Sequence, residues 1–254
     1  MVLIPGLLSS GQVWDSAVEH YKANHEMHVL TLAGFAGVPF VDRGAFLESE
    51  RDAIIGYMRE RKMKSPILVG HSLGGFLAFW IAATAPAEVG AVVSVDGVPF
   101  LPALMNPAAT EEAMKPQGDA VLQQYARFTP DQLEAQSRYS LATMIKDPKN
   151  VEMAAAWSRS SDPRTAGKAI AEMLTTDLRE KTAAIKAPVL LVGAGDFART
   201  PEMQRQMSAQ YEAQLSRVPH HQLVMDFDAR HFIMLDDPAA LFRAVDAFLQ
   251  SPAK

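Results

Sequence analysis

Short apolar runs alternate with stretches in which apolar side chains recur every three or four positions, and this alternation continues along most of the chain. Runs rich in Val, Ile and Leu and bounded by Gly, Pro or charge read as strands buried on both faces. The periodic stretches between them read as covering helices. Strands are expected at Val2–Ile4, His28–Leu32, Ile67–Val69, Ala91–Val95, Val189–Val192 and Leu223–Phe227. Ile54, Ile55 and Met58 share one helical face, as do Leu73, Phe76, Leu77, Trp80 and Ile81. Thr200–Pro201 and Asp237–Pro238 each put a capping oxygen before a residue that has no N–H to satisfy, which marks a helix start. The pattern is that of an α/β chain with a mostly parallel sheet flanked by helices.

The rhythm breaks once. Between Gly97 and Pro188 no strand pattern appears, and helical stretches are divided by Thr129–Pro130, Asp147–Pro148 and Asp162–Pro163. So long an excursion is not a simple loop. It implies a helical cap over 98–186, inserted between two core strands, with the core formed by 1–97 and 187–254. Met105, Phe128, Tyr139, Met144, Met153 and Trp157 in this insertion either line an apolar pocket or pack its own small core.

Residues 68–76, "LVGHSLGGF", raise the first chemical question. Gly70-His71-Ser72-Leu73-Gly74 has the G-x-S-x-G spacing of a nucleophile elbow, with an apolar strand before it and an amphipathic helix expected after it. A strand turning directly into a helix holds the central residue in a strained conformation. Its close approach excludes side chains two residues before and two after. The helix amides then face the hydroxyl, where they favour developing negative charge.

Such a serine needs a base, and the base needs orienting. His231, in "DFDARHFIMLDDP", follows the last strand and so belongs on the rim where ligands gather at the carboxyl ends of parallel strands. His71 adjoins the serine but should point elsewhere; His20, His25, His28, His220 and His221 lie away from that rim. The acid is expected at Asp196, after "PVLLVGAG", with Asp96, after "VVSV", as the competitor; the order serine, acid, histidine and the strand it follows favour Asp196. Oxyanion donors are expected at the Leu73 amide and, after the first strand, at the Leu7 amide, with Gly6 turning the backbone toward the site and Leu8 as the lesser candidate. Leu8, Phe100, Phe128, Trp157, Phe197 and Phe232 are the candidates for an apolar substrate pocket, although Phe100, Phe197 and Phe232 suit a core equally well.

Composition removes several classes. A net charge of −5 and the absence of a basic face argue against nucleic-acid binding; "RERKMK" reads as the cationic end of a helix. With no cysteine there is no disulfide, thiol nucleophile or thiolate metal site. No apolar stretch is long enough to span a bilayer. The first strand begins almost at Met1, which leaves open a trimmed leader and hence a cytoplasmic, periplasmic or secreted location.

Together "IPGLLSSGQVW", "LTLAGFAGVP", "VGHSLGGFLAFWIA", "PVLLVGAGD" and "RHFIMLDDP" make the chain resemble the α/β-hydrolase superfamily, in particular its small serine esterases with a helical cap. The resemblance covers nearly the whole chain. It implies nucleophile Ser72, acid Asp196, base His231, oxyanion amides on Leu7 and Leu73, and no cofactor or metal. Pro5-Gly6 stands where the family often has His-Gly, and the initial two-strand hairpin common in relatives is missing. A serine at the elbow sets the chain apart from superfamily members with an elbow aspartate, the haloalkane dehalogenases and epoxide hydrolases. The implied activity is hydrolysis of a small carboxylic ester through an acyl-enzyme. Alternatives are a lactonase, thioesterase, lyase or perhydrolase on the same residues, or a ligand-binding signalling protein with little turnover.

Overall fold

The computed structural model describes residues 1–41 and 44–250; positions 42, 43 and 251–254 of the expected core span lie outside the described residues. In chain order the elements are β1 (Val2–Ile4), α1 (Asp15–Tyr21), β2 (His28–Val29), α2 (Phe46–Glu60), β3 (Ile67–His71), α3 (Leu73–Thr84) and β4 (Ala91–Val95). Four helices follow, α4 (Glu111–Tyr125), α5 (Pro130–Met144), α6 (Pro148–Arg159) and α7 (Pro163–Thr175). Then come β5 (Val189–Ala194), α8 (Pro201–Gln214), β6 (His221–Asp226), α9 (Ile233–Asp236) and α10 (Pro238–Gln250).

The strands form one sheet in the order β2-β1-β3-β4-β5-β6, with every described pairing parallel. The chain therefore reverses its direction of travel across the sheet between β1 and β3. Loops that leave neighbouring strands there diverge to opposite sides and open a crevice. Alternate strand residues face opposite layers, as the pleat requires. Val2, Ile4, Leu68, Val92 and Leu191 join the core on the side of α2, α3 and α8, whereas Leu3, Val69, Val93, Leu190 and Val192 join the side of α1 and α10.

Two expectations from the pattern change. The strand expected over His28–Leu32 shortens to His28–Val29, since β2 is a sheet edge paired only to β1. The helix after Ser72 is not amphipathic: Leu73 to Ala82 are all buried. It lies beneath β3 and β4 on one side and α2 on the other, so only its end, at Thr84, reaches water. The proline-marked starts are as expected. Thr129, Asp147, Asp162 and Thr200 each accept a backbone N–H at the head of α5, α6, α7 and α8, and Thr129 with Gln132 completes a capping box.

Between β4 and β5, α4 packs on α7 and α5 on α6. These helices contribute to both large core clusters, through Leu133, Ala166 and Met173 on one side and Leu141, Val151 and Trp157 on the other. One of the polar ties to the sheet layers runs to α2. The N-cap residue of α2 is Ala45, which has no side-chain acceptor. Glu172 of α7 supplies one instead, accepting the Phe46 and Leu47 N–H groups at 2.8 and 2.7 Å. Negative charge at a helix N-terminus is doubly favourable there.

Two stability predictions follow from these contacts. Glu172→Ala should lower unfolding free energy by about 1–2 kcal/mol, the usual cost of losing a helix cap, and Glu172→Gln by less, read as a shift in urea midpoint at unchanged slope. His71, at the end of β3, is 1% exposed. Burial and the neighbouring His231 hold its imidazole well below the ordinary histidine range, so it is neutral when folded. The unfolded chain then binds one more proton below about pH 6.5, and stability falls as pH falls. His221 acts with the opposite sign: although burial pushes it down, the Glu212 and Val218 oxygens raise it overall, and its stabilisation is lost as pH rises. Urea midpoints at pH 7.5 and 5.5 for wild type and His71→Asn separate the two, and the wild type should lose more on acidification.

Candidate active site

At the carboxyl end of β3 the chain turns into α3 within one residue. Ser72 takes φ 53° and ψ −116°, a left-handed conformation for a residue with a side chain. Its amide donates to the Val95 carbonyl at 2.9 Å, which fastens the corner to the adjacent strand. A Cβ on Gly70 would run into the Gly74 carbonyl, and one on Gly74 into the carbonyl of Ile4. Both glycines are therefore present for close backbone approach. The Leu73 amide opens α3, and the first amides of a helix have no partner within it.

The switch between β1 and β3 sets the loop after β1 beside this corner. A Cβ on Gly6 would stand 2.7 Å from His71 Nδ1, so the glycine serves close packing. The turn expected from Gly6 is made instead by Leu8, at φ 59°. Leu7, Leu8, Ser72 and His231 all line one cavity of about 940 Å³, whose wall is mainly apolar.

The imidazole of His231 sits in the loop after β6, and its Nδ1 lies 2.5 Å from Asp96 Oδ2. A carboxylate only accepts, so Nδ1 carries the proton and Nε2 is left as the acceptor. Asp96 follows β4 directly, at φ 52°. Its other oxygen, Oδ1, accepts the Ala194 N–H at 2.9 Å and the Tyr211 O–H at 2.6 Å. Burial, and then the Asp96 charge, push the Tyr211 phenol well above its ordinary range, so it remains a donor.

Asp196, the expected partner of His231, is elsewhere engaged. Its carboxylate meets Arg230 Nε at 3.3 Å, Arg199 at 3.1 Å and Lys146 Nζ at 3.6 Å. Burial pushes Asp196 up, but the Arg230 hydrogen bond and the charges of Lys146, Arg199 and Arg230 outweigh it and hold the carboxyl below its ordinary value. The backbone explains the exchange. Left-handed Asp96 lies beside the loop of β6 through β5, whereas Asp196 stands two residues beyond β5 with its amide tied to the Ala229 carbonyl.

His71, expected to point elsewhere, lies beside His231 in the wall of the same cavity. Its Nε2 lies 3.1 Å from the His231 carbonyl, and its ring packs on His231 and Phe232 at centroid distances of 4.7 and 4.5 Å. His20 meets Asp246, His28 meets Tyr57, and His221 meets Glu212. Among the described residues no group of three or more His, Asp or Glu could hold a metal ion, and no helix is long and apolar enough to cross a membrane.

Of the aromatic and aliphatic candidates for the pocket, Leu8, Phe197 and Phe232 line the cavity. Phe100, Phe128 and Trp157 do not. Phe100 is buried against Ala103 and Ala109 beneath the Arg179 guanidinium. Phe128 packs on Tyr125 with the rings tilted, beside a separate surface hollow, and Trp157 is buried with its Nε1 donating to Gln12. Of the insertion's other candidates Met144 reaches the cavity, whereas Met105 and Tyr139 are largely exposed. Sequence reasoning missed Tyr211, Arg199 and Arg230. A signal for Tyr211 existed: it shares the inward face of α8 with Met207 and Gln214, where a hydroxyl needs a partner.

Known proteins agree with this architecture. Residues 1–244 match the model of the alpha/beta hydrolase family. Over 189 residues the chain is 23% identical to pimeloyl-[acyl-carrier protein] methyl ester esterase of Aliivibrio salmonicida, covering 74% of this chain and 70% of that protein. Among solved structures it is similar to the enol-lactonase of Burkholderia xenovorans, with a TM-score of 0.76, 18% identity, and 98% and 90% of the two chains covered. A thermophilic esterase of Thermogutta terrifontis gives a TM-score of 0.75 at 19% identity, with 98% and 88% covered. From the strained serine corner, the parallel sheet and the match along nearly its full length, the chain belongs to the alpha/beta hydrolase family.

Proposed function

We propose that the protein hydrolyses a small carboxylic ester through an acyl-enzyme, with Ser72 as nucleophile, His231 as base and Asp96 as the orienting acid. The observation that carries this reading is the 2.5 Å contact between His231 Nδ1 and Asp96 Oδ2, in a cavity that Ser72 also lines. The curated relative's name, a methyl ester esterase, supports an ester as substrate.

In this mechanism His231 Nε2 takes the hydroxyl proton as Ser72 Oγ attacks the ester carbonyl, and the imidazolium that forms is stabilised by Asp96. The tetrahedral oxyanion is held by the amides of Leu73 and Leu7. His231 then returns the proton to the departing alcohol, and a water repeats the sequence to release the acid. The Ala194 and Tyr211 donors fix the carboxylate, so Asp96 need not reorganise as charge moves. Helices α5, α6 and α7, whose Leu141, Ala154 and Met173 reach the cavity, serve as its lid.

A panel of p-nitrophenyl and methyl esters, with thioesters and lactones beside them, tests the reading. Ester turnover should vanish in Ser72→Ala; activity confined to lactones or thioesters, or turnover surviving that substitution, would refute it. Asp96→Asn should lower kcat by about 10⁴-fold and Asp196→Asn by under about tenfold, with near-unchanged thermal stability in the latter. The reverse ranking would return the acid to Asp196.

A further inference from the structure

The cations around Asp196 lie outside the proposed catalytic steps, yet Arg199, Arg230 and Asp196 line the same cavity as Ser72 and His231. Arg230 is held in place from two sides. Its Nη1 donates to the Ala142 and Ile145 carbonyls at 3.1 Å each, at the carbonyl end of α5, while Nε meets Asp196 at 3.3 Å. Lys146 Nζ is anchored on the Asp228 carbonyl and stands 3.6 Å from Asp196. Arg199 meets Asp196 Oδ2, the oxygen that Arg230 also meets, at 3.1 Å.

Three cations thus converge on one side-chain carboxylate. The next acid, Asp236, gives its two oxygens to the backbone N–H groups of Lys146 and Arg230 at 2.9 and 3.0 Å. Asp196 itself reports the field at this spot: despite a burial that opposes charge, its carboxyl is held ionised below its ordinary range. A ligand's carboxylate placed beside it in the cavity would meet the Arg199 and Arg230 guanidinium groups, and a pair of such groups suits its two oxygens.

We infer that Arg199 and Arg230, with Lys146 behind Asp196, form an anion subsite, which selects esters that carry a free carboxylate at the end of an apolar chain. The apolar wall, with Phe197 and Phe232, takes the chain, and the cluster takes its far end next to the His231 loop. The inference rests on the proposed ester hydrolysis for its substrate, but the subsite itself is testable without turnover.

The pair monomethyl adipate and methyl hexanoate differs by that carboxylate alone. Followed by pH-stat at low salt, wild type should favour the acidic ester by roughly tenfold or more in kcat/KM. Arg199→Gln and Arg230→Gln should each cut that preference several-fold, mainly through KM for the acidic ester, and added salt should reduce it. Calorimetric titration of Ser72→Ala with adipate should show binding that weakens when either arginine is replaced, and that tightens in Asp196→Asn, where the internal competitor is gone. A merely structural cluster would not tighten. Equal use of the two esters together with no adipate binding overturns the subsite and leaves ester hydrolysis standing. Arginine-dependent adipate binding without turnover of either ester does the opposite. If Arg230→Gln does not fold, the Arg199→Gln and Asp196→Asn titrations decide.

Discussion

The carboxylate of Asp96 is the junction on which the rim of the sheet depends. It begins where β4 ends, accepts an N–H from the last residue of β5 and a hydroxyl from α8, and grips the imidazole carried by the loop after β6. Three elements that are separate in sequence are thereby referenced to one side chain that is almost fully buried. Such a group is costly unless all its lone pairs are used, and here each oxygen is matched. Once matched, it fixes the ring plane of His231 and leaves Nε2 directed away from the carboxylate.

Neighbouring strand exits are bound in the same stepwise manner. The Ser72 amide reaches the Val95 carbonyl, the Asp96 amide the Val192 carbonyl, and the Gly195 amide the Asp226 carbonyl. Each strand thus hands its terminal geometry to the next, and a displacement at one exit is felt at the others. Below this rim, α3 is buried from Leu73 to Ala82, so the corner that carries Ser72 rests on a packed support. His71 adds a link of its own, bridging the elbow to the His231 backbone while remaining neutral.

The elbow was legible because its rule is local. Two glycines at fixed offsets from a serine, between an apolar run and a helix, answer to contacts within a few residues and one neighbouring strand. His231 was legible because any loop after a parallel strand reaches the same rim. The carboxylate that His231 meets was not. Asp96 and Asp196 both fall between Ser72 and His231 in the chain, and both leave strands, so the chain order that pointed to Asp196 admits Asp96 equally. What separates them is the left-handed backbone at Asp96 and the cations waiting around Asp196, and two of those cations come from α5's exit and the loop after β6. Phe100, Phe128 and Trp157 were misread for a related reason. Composition marks an apolar residue for burial without saying which side of a helix pair the cavity lies on.

Among the described residues, three of the six non-glycine positions with left-handed φ stand where the chemistry is proposed to occur. Leu8, Ser72 and Asp96 have left-handed φ angles of 59°, 53° and 52°, and they follow β1, β3 and β4, three consecutive strands of the sheet. Each conformation costs on the order of 1–2 kcal/mol for a residue with a side chain. Neighbouring strands alone do not demand it, since β5 and β6 leave the sheet without such residues. The strain persists because the surrounding contacts over-determine it: the glycine approaches at the elbow, the matched carboxylate at Asp96, and the packing of Gly6 on His71 that confines the loop leading to Leu8. Relaxing any one of the three would turn a donor, a hydroxyl or a carboxylate out of the crevice. Strain and placement are therefore the same feature of this rim, supplied by a core that packs against both faces of the sheet.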